Sequence, residues 1–235
     1  MKNILQIRES ERKSHIDVYN SHKLYSPGSW LSKPVSTVLN LIPLFSDYKE
    51  IHVLDLGCGV GRNSIAVAKA FSSISCQIDC VDILDTAIQM LTEYAKIHHV
   101  EEGIRGIVSS IEGFPIEKEH YDLILAVSAL EHVDSLGSFL DKLGQIRNGL
   151  RTGGVACLII NTDVVERRKS DGKLFPPQFE IVLQGDELVR ILGRYFNGCE
   201  ILKQSVTHQN YDIPREYGVA EMDTNVVTYV IRKYV

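Results

Sequence analysis

Long apolar runs are missing from this 235-residue sequence. The longest candidates, residues 121–127 and 155–160, fall well short of the roughly 18 residues that a membrane span needs. The N-terminus, Met1 to Glu9, becomes charged before a signal-peptide core could form. Cysteine is sparse and odd in number, five in all, without the paired spacing of a disulfide framework. Cys76 and Cys80 stand four apart, but no second Cys/His pair has zinc-ligand spacing, so no metal site is expected. An excess of basic residues is also absent: 25 Lys and Arg stand against 30 Asp and Glu, a net charge of -5. That argues against a protein whose main work is gripping nucleic-acid backbone, while leaving a local patch open. Repeats and low-complexity linkers are lacking too. The expectation is a soluble cytoplasmic protein with no membrane association and buried thiols in a reducing compartment. Oligomeric state stays open.

What is present is an alternation of strand and helix patterns in a chain sized for one α/β domain. Pro34 opens a helical pattern with Val35, Val38, Leu39 and Ile42 on one face. Ile51–Leu56 reads as a buried strand, and Asn63–Phe71 as a helix. Cys76–Ile83 is a strand; a helix capped by Asp85 carries Ala87, Ile88, Leu91 and Ala95. Short Gly106–Val108 and apolar Tyr121–Val127 are further strands, Ser135–Leu150 a helix, and Val155–Asn161 a strand after Gly153-Gly154. Apolar strands alternating with helices predict a mostly parallel sheet covered on both faces. A helix at Asp186–Tyr195 then precedes strands at Cys199–Val206 and Val226–Val235. No helix separates that last pair, so an antiparallel hairpin at the sheet edge is predicted, with His208–Asn225 as its long connecting loop. Residues 1–45 are expected to be an N-terminal helical segment or lid, with Tyr19, Tyr25 and Trp30 as its aromatics, and 46–235 the main domain.

The chemistry-bearing segment is Val53-Leu54-Asp55-Leu56-Gly57-Cys58-Gly59-Val60-Gly61-Arg62-Asn63-Ser64. A strand, a glycine turn and a helix N-terminus make a notch where backbone approaches a ligand. A dinucleotide site needs G-x-G-x-x-G, and here Arg62 holds the third glycine position, with Gly61 one residue early. Asp55, two residues before Gly57, would repel a pyrophosphate and complement a cation. Asp82 ends the next strand, where a carboxylate accepts both hydroxyls of a ribose. An adenine would then lie against Ile83, with Ser110 and Ile111 near its ring nitrogens.

Together these segments, with Ser110–Pro115, Leu130-Glu131-His132-Val133 and Gly149–Gly154, resemble the class I S-adenosylmethionine-dependent methyltransferases over residues 50–160. The resemblance implies a Rossmann-like, seven-stranded, mostly parallel sheet with helices on both faces and an antiparallel C-terminal edge hairpin. It implies S-adenosyl-L-methionine as cofactor, held by Asp55, Gly57, Cys58, Gly59, Asn63, Asp82, Ile83, Ser110, Ile111 and Ala126. Ser110 departs from the family, where an Asp is common. Methyl transfer to a nucleophile of a small-molecule acceptor is the implied activity; a non-catalytic domain binding the same cofactor for regulation or partner recruitment is the alternative. Gly61-Arg62-Asn63-Ser64 is similar to the tellurite-resistance methyltransferase branch, which directs attention to His208 and Arg215. With His132, these are the candidate catalytic residues.

Overall fold

The computed structural model describes residues 4–215 and 217–234. The alternation resolves into one sheet whose strands are β1 (Glu50–Leu56), β2 (Ser75–Asp82), β3 (Ile104–Val108), β4 (Tyr121–Val127), β5 (Leu150–Arg168), β6 (Leu174–Phe175), β7 (Glu200–Arg215) and β8 (Gly218–Arg232). Their order is β3-β2-β1-β4-β5-β8-β7, with the two-residue β6 paired to β5 off this path. The ladders from β3 through β5 are parallel; β5–β8 and β8–β7 are antiparallel. The expected mostly parallel sheet with an antiparallel edge hairpin is what the chain forms. Chain direction along the sheet reverses between β1 and β4. Their carboxyl ends therefore flank a crevice, the usual ligand position in an open α/β sheet.

The central strands are apolar because both faces are covered: all seven residues of β4 are buried. On one face lie α3 (Ser64–Ala70) and α4 (Asp85–Ile97), packing Ile65, Val67, Ile88 and Leu91 on Val53, Leu123 and Leu125. On the other, α5 (Leu136–Gly149) and α6 (Gly185–Tyr195) pack Phe139, Leu143, Leu188 and Leu192 on Leu54, Ile124 and Leu158. Ser135 caps α5, its hydroxyl accepting the Ser138 N–H at 3.1 Å. The Pro34 pattern gives a short α2 (Ser36–Leu39) and a following 3-10 turn at Ile42–Phe45. Leu24, Leu31, Val38 and Phe45 lie in the same core cluster as Ile51 and Val53, so the N-terminal segment shares the main core.

Two differences from the sequence reading matter for function. The connection expected at His208–Asn225 is not a loop. β7 and β8 stay paired residue by residue as far as Arg215 opposite Gly218, and β5 runs on past Asn161 to Arg168 beside them. Asn, Asp, Gln, Pro and Gly fill this segment and disguise it, because the pairing partner supplies what strand propensity does not. The result is a three-stranded arm continuing beyond the carboxyl ends of the parallel strands. The second difference is α1 (Ile4–Ser21), an 18-residue helix with few apolar residues, which reaches from this arm to the glycine loop. Among the described residues, no helix is long and apolar enough to cross a membrane.

Candidate active site

The glycine loop follows β1 and is pinned to the end of β2. The N–H groups of Gly57 and Cys58 donate to the Val81 carbonyl at 2.8 and 3.0 Å, and Gly59 N–H donates to Asp82 Oδ2 at 2.8 Å. Asp82 Oδ1 meanwhile accepts the Leu84 N–H at 2.9 Å. Each bond uses one lone pair of its oxygen, so the carboxylate retains acceptor capacity. Burial raises the Asp82 carboxyl pKa, opposed by those two backbone bonds. All three loop glycines have positive φ. At Gly61, φ is +89° and an added Cβ would lie 2.3 Å from Leu91 Cδ1. Gly61→Ala is expected to cost about 1–3 kcal/mol through strain and overpacking. An unchanged melting midpoint would show that α4 gives way freely.

The remaining cofactor candidates are placed unevenly. Ile83, beside Asp82, is 51% exposed, an open apolar surface at the strand end. Ser110 and Ile111 are half-buried next to the loop, Ile111 Cδ1 lying 3.7 Å from an ideal Gly57 Cβ, while Ser110 Oγ accepts the Gly113 N–H. Asp55 lies beneath the loop, 1% exposed, accepting the Ser64 hydroxyl, and burial pushes its carboxyl up to about 6. Asn63 accepts the Val35 N–H at 3.0 Å and so ties the N-terminal segment to α3. Cys58 is buried, its thiol directed to the Gly59 carbonyl. Ala126 is sealed inside the sheet between β1 and β5; the open residue at this strand end is Ser128, exposed and left-handed at φ 51°. Arg62 stacks on Trp30, 5.0 Å from ring centroid to guanidinium, and donates to its carbonyl.

The catalytic candidates do not converge. His208 and Arg215 are separated by seven residues of strand, about 23 Å, and by parity point to opposite faces. His208 is paired with Asn225 and 62% exposed, on the face where Val206 and Asn225 line a cleft with α6. Arg215 is 5% exposed, donating to both oxygens of Glu166 at 2.9 and 3.0 Å and to Glu11 of α1 at 3.2 Å. It is locked in a buried ion network rather than free for a substrate. His132 sits in the turn after β4, its Nδ1 3.0 Å from Glu180 Oε2 and its ring stacked on Phe179 at 5.0 Å. Burial lowers its pKa, but Glu180, Glu131 and Glu11 outweigh that and raise it to about 9. A raised folded value means the stabilisation is full below about 6.5, the free-histidine value, and is lost as pH rises through about 9. Stability is therefore expected to fall between these limits and to do so less in His132→Gln, as thermal melts across the window would reveal.

Residues 53–154 match the family profile described as methyltransferase domain. That segment holds the glycine loop, Asp82 and the His132 turn. This part of the chain is a methyltransferase domain. The chain is 27% identical over 114 residues to a ubiquinone biosynthesis O-methyltransferase of Rickettsia canadensis, covering 48% of this chain and 44% of the relative. It is 27% identical over 95 residues to norajmaline N-methyltransferase of Rauvolfia serpentina, covering 40% and 32%. The chain thus spans about half or less of these two relatives' length. The crystal structure of TehB from Haemophilus influenzae superposes with a TM-score of 0.62 over 92% of this chain and 66% of that one; at 20% identity this shows the fold. S-adenosylmethionine is the cofactor of the family, and the residues present fit it. Asp82 retains lone pairs for hydroxyls, and Ile83 leaves an apolar surface open beside it.

Several residues around the candidate site carry no sequence motif. Glu180 lies in an irregular segment yet is 2% exposed, taking both His132 and, at 3.4 Å, Arg8 of α1. Arg8 also reaches Glu112 at 2.6 Å. Glu166 is fully buried under Arg215 and the Tyr217 hydroxyl. Glu131 is 1% exposed; Oε1 accepts the Asn161 N–H and side-chain amide, while Oε2 has no hydrogen-bond partner among the described residues. Tyr19 extends over the loop, its hydroxyl 2.8 Å from an ideal Gly59 Cβ. The only available signal was spacing: Arg8, Glu11, His15 and Tyr19 recur every three or four residues, a polar face of one helix.

Proposed function

We propose that this protein transfers a methyl group from S-adenosylmethionine to a hydroxyl or amine of a small molecule, with α1 as the lid of the site. The observation that carries the reading is Asp82, pinned by the loop at the switch point of the sheet and within electrostatic reach of His15 on α1. When bound, S-adenosylmethionine supplies a methyl group already activated by its sulfonium. The chain's own task is therefore to position and to manage a proton. Asp82 would hold the ribose, Ile83 the adenine face, and the exposed end of β4 at Ser128 the methionyl end. Arg8–Glu180 and Arg215–Glu11 fasten α1 over the acceptor space and exclude water from it. A roofed site suits a small acceptor, and the relatives' names, one an O- and one an N-methyltransferase, support the choice of nucleophiles.

Calorimetric titration with S-adenosylmethionine, S-adenosylhomocysteine and NAD tests the cofactor. Micromolar binding of the first two and no heat from NAD is the expected result; binding of NAD, or of nothing, refutes the reading. Catechol and primary-amine probes then test turnover. Tight cofactor binding without methyl transfer to any small acceptor would favour a non-catalytic binding domain.

A further inference from the structure

His132 is held as an imidazolium by Glu180, so it cannot accept a proton at neutral pH. Another imidazole is better placed. We propose that His15, on α1, is the neutral base that takes the acceptor's proton, an inference resting on the methyl-transfer reading above.

The position of His15 is bracketed on its own helix. One turn later, Tyr19 lies over Gly59. One turn earlier, Glu11 grips Arg215 through Oε1 at 3.2 Å and places Oε2 3.7 Å from His15 Nε2. At 1.5 Å rise per residue, each neighbour is about 6 Å away along the axis. His15 therefore hangs between the glycine loop and the arm, over the crevice. Its ring packs against Tyr19 at 5.8 Å and Trp30 at 6.0 Å, an aromatic wall on one side. The side chain keeps 38% of its surface open, so the ring is accessible rather than sealed in the core.

The charged groups facing it come from four elements: Glu11 on α1, Asp82 at the end of β2, His132 after β4 and Arg215 on β7. Burial is the largest influence and lowers its pKa; His132 and Arg215 add to that, while Glu11 and Asp82 oppose. Two histidines over one crevice thus have affinities for the proton pushed apart, one neutral and one charged, the usual mark of divided acid and base roles. The acceptor's O–H or N–H proton passes to the free imidazole nitrogen, and the electron pair it leaves would form the new bond to the methyl carbon as the methyl–sulfur bond breaks, its pair going to sulfur and leaving S-adenosylhomocysteine. Glu11 steadies the resulting imidazolium until the lid opens and the proton leaves to solvent.

The test is histidine NMR on 13C-labelled full-length protein, with the His15 signal assigned as the one lost in His15→Gln. S-adenosylmethionine is cationic at sulfur and S-adenosylhomocysteine is not. If His15 faces the transferred methyl, its midpoint should lie below 6.5 and be lower by about half a unit or more in the first complex, from Coulomb repulsion across some 6–8 Å. Equal midpoints in the two complexes overturn the proposal. With catechol as acceptor probe, His15→Gln should lower kcat by about 100-fold or more and abolish the acidic limb of the pH profile, with KM for S-adenosylmethionine unchanged. Wild-type kcat in this variant overturns the base role. Heat of binding from both nucleosides without a differential shift sinks this inference alone; no heat from either sinks the methyl-transfer reading beneath it.

Discussion

Arg215→Met is expected to destabilise the fold by about 3–5 kcal/mol, because it strands a buried carboxylate. Glu166 is fully buried, and both its oxygens are taken by Arg215. Among the described residues, removing the guanidinium leaves only the Tyr217 hydroxyl bonded to that carboxylate, and it also releases Glu11, the tie between α1 and the arm. For a chain of this length the loss corresponds to roughly 10 °C in melting temperature. The double variant Arg215→Met/Glu166→Gln separates the causes. With the stranded charge gone, most of the stability should return, since replacing both members of a buried pair is often nearly neutral. A double variant as unstable as the single one would show that packing, not the uncompensated charge, is responsible. Recovered stability with impaired turnover would place the remaining defect in the fastening of α1.

The second large effect is at Asp82. Asp82→Ala is expected to weaken binding of S-adenosylmethionine and S-adenosylhomocysteine alike by about 1–3 kcal/mol, the worth of charged hydrogen bonds. The equality follows from the ribose the two nucleosides share. The side chain also holds Gly59 and Leu84, so the variant loosens the loop from β2 as well. Asp82→Asn keeps the shape but turns one acceptor into a donor facing a backbone N–H. It should therefore bind more weakly than wild type despite its similar size. Affinity of wild type should fall on acidification at a pH above the usual carboxylate range, since burial raises this carboxyl. Unchanged affinity in Asp82→Ala would remove Asp82 from the cofactor site.

The sequence by itself determined the parallel half of the molecule. Buried strands such as Tyr121–Val127 are apolar throughout, and the glycine loop with Asp55 and Asp82 is local in sequence, so pattern and spacing expose both. Its reach ended where a side chain's surroundings come from distant elements. Asp55 reads as a ligand contact by position, yet the packing of α3 places it under the loop against Ser64. His208 and Arg215 read as a pair on a loop, yet the ladder between β7 and β8 extends to Gly218 and turns them to opposite faces. Glu180, Arg8 and His15 belong to no motif; they meet His132 and Asp82 only because α1 crosses from the arm to the glycine loop. What tertiary structure decided is thus the charge state of the site. Protonation of His132 or His15 depends on burial and on carboxylates as far away in the chain as Glu11 is from His132, 121 residues, and neither periodicity nor spacing encodes such contacts.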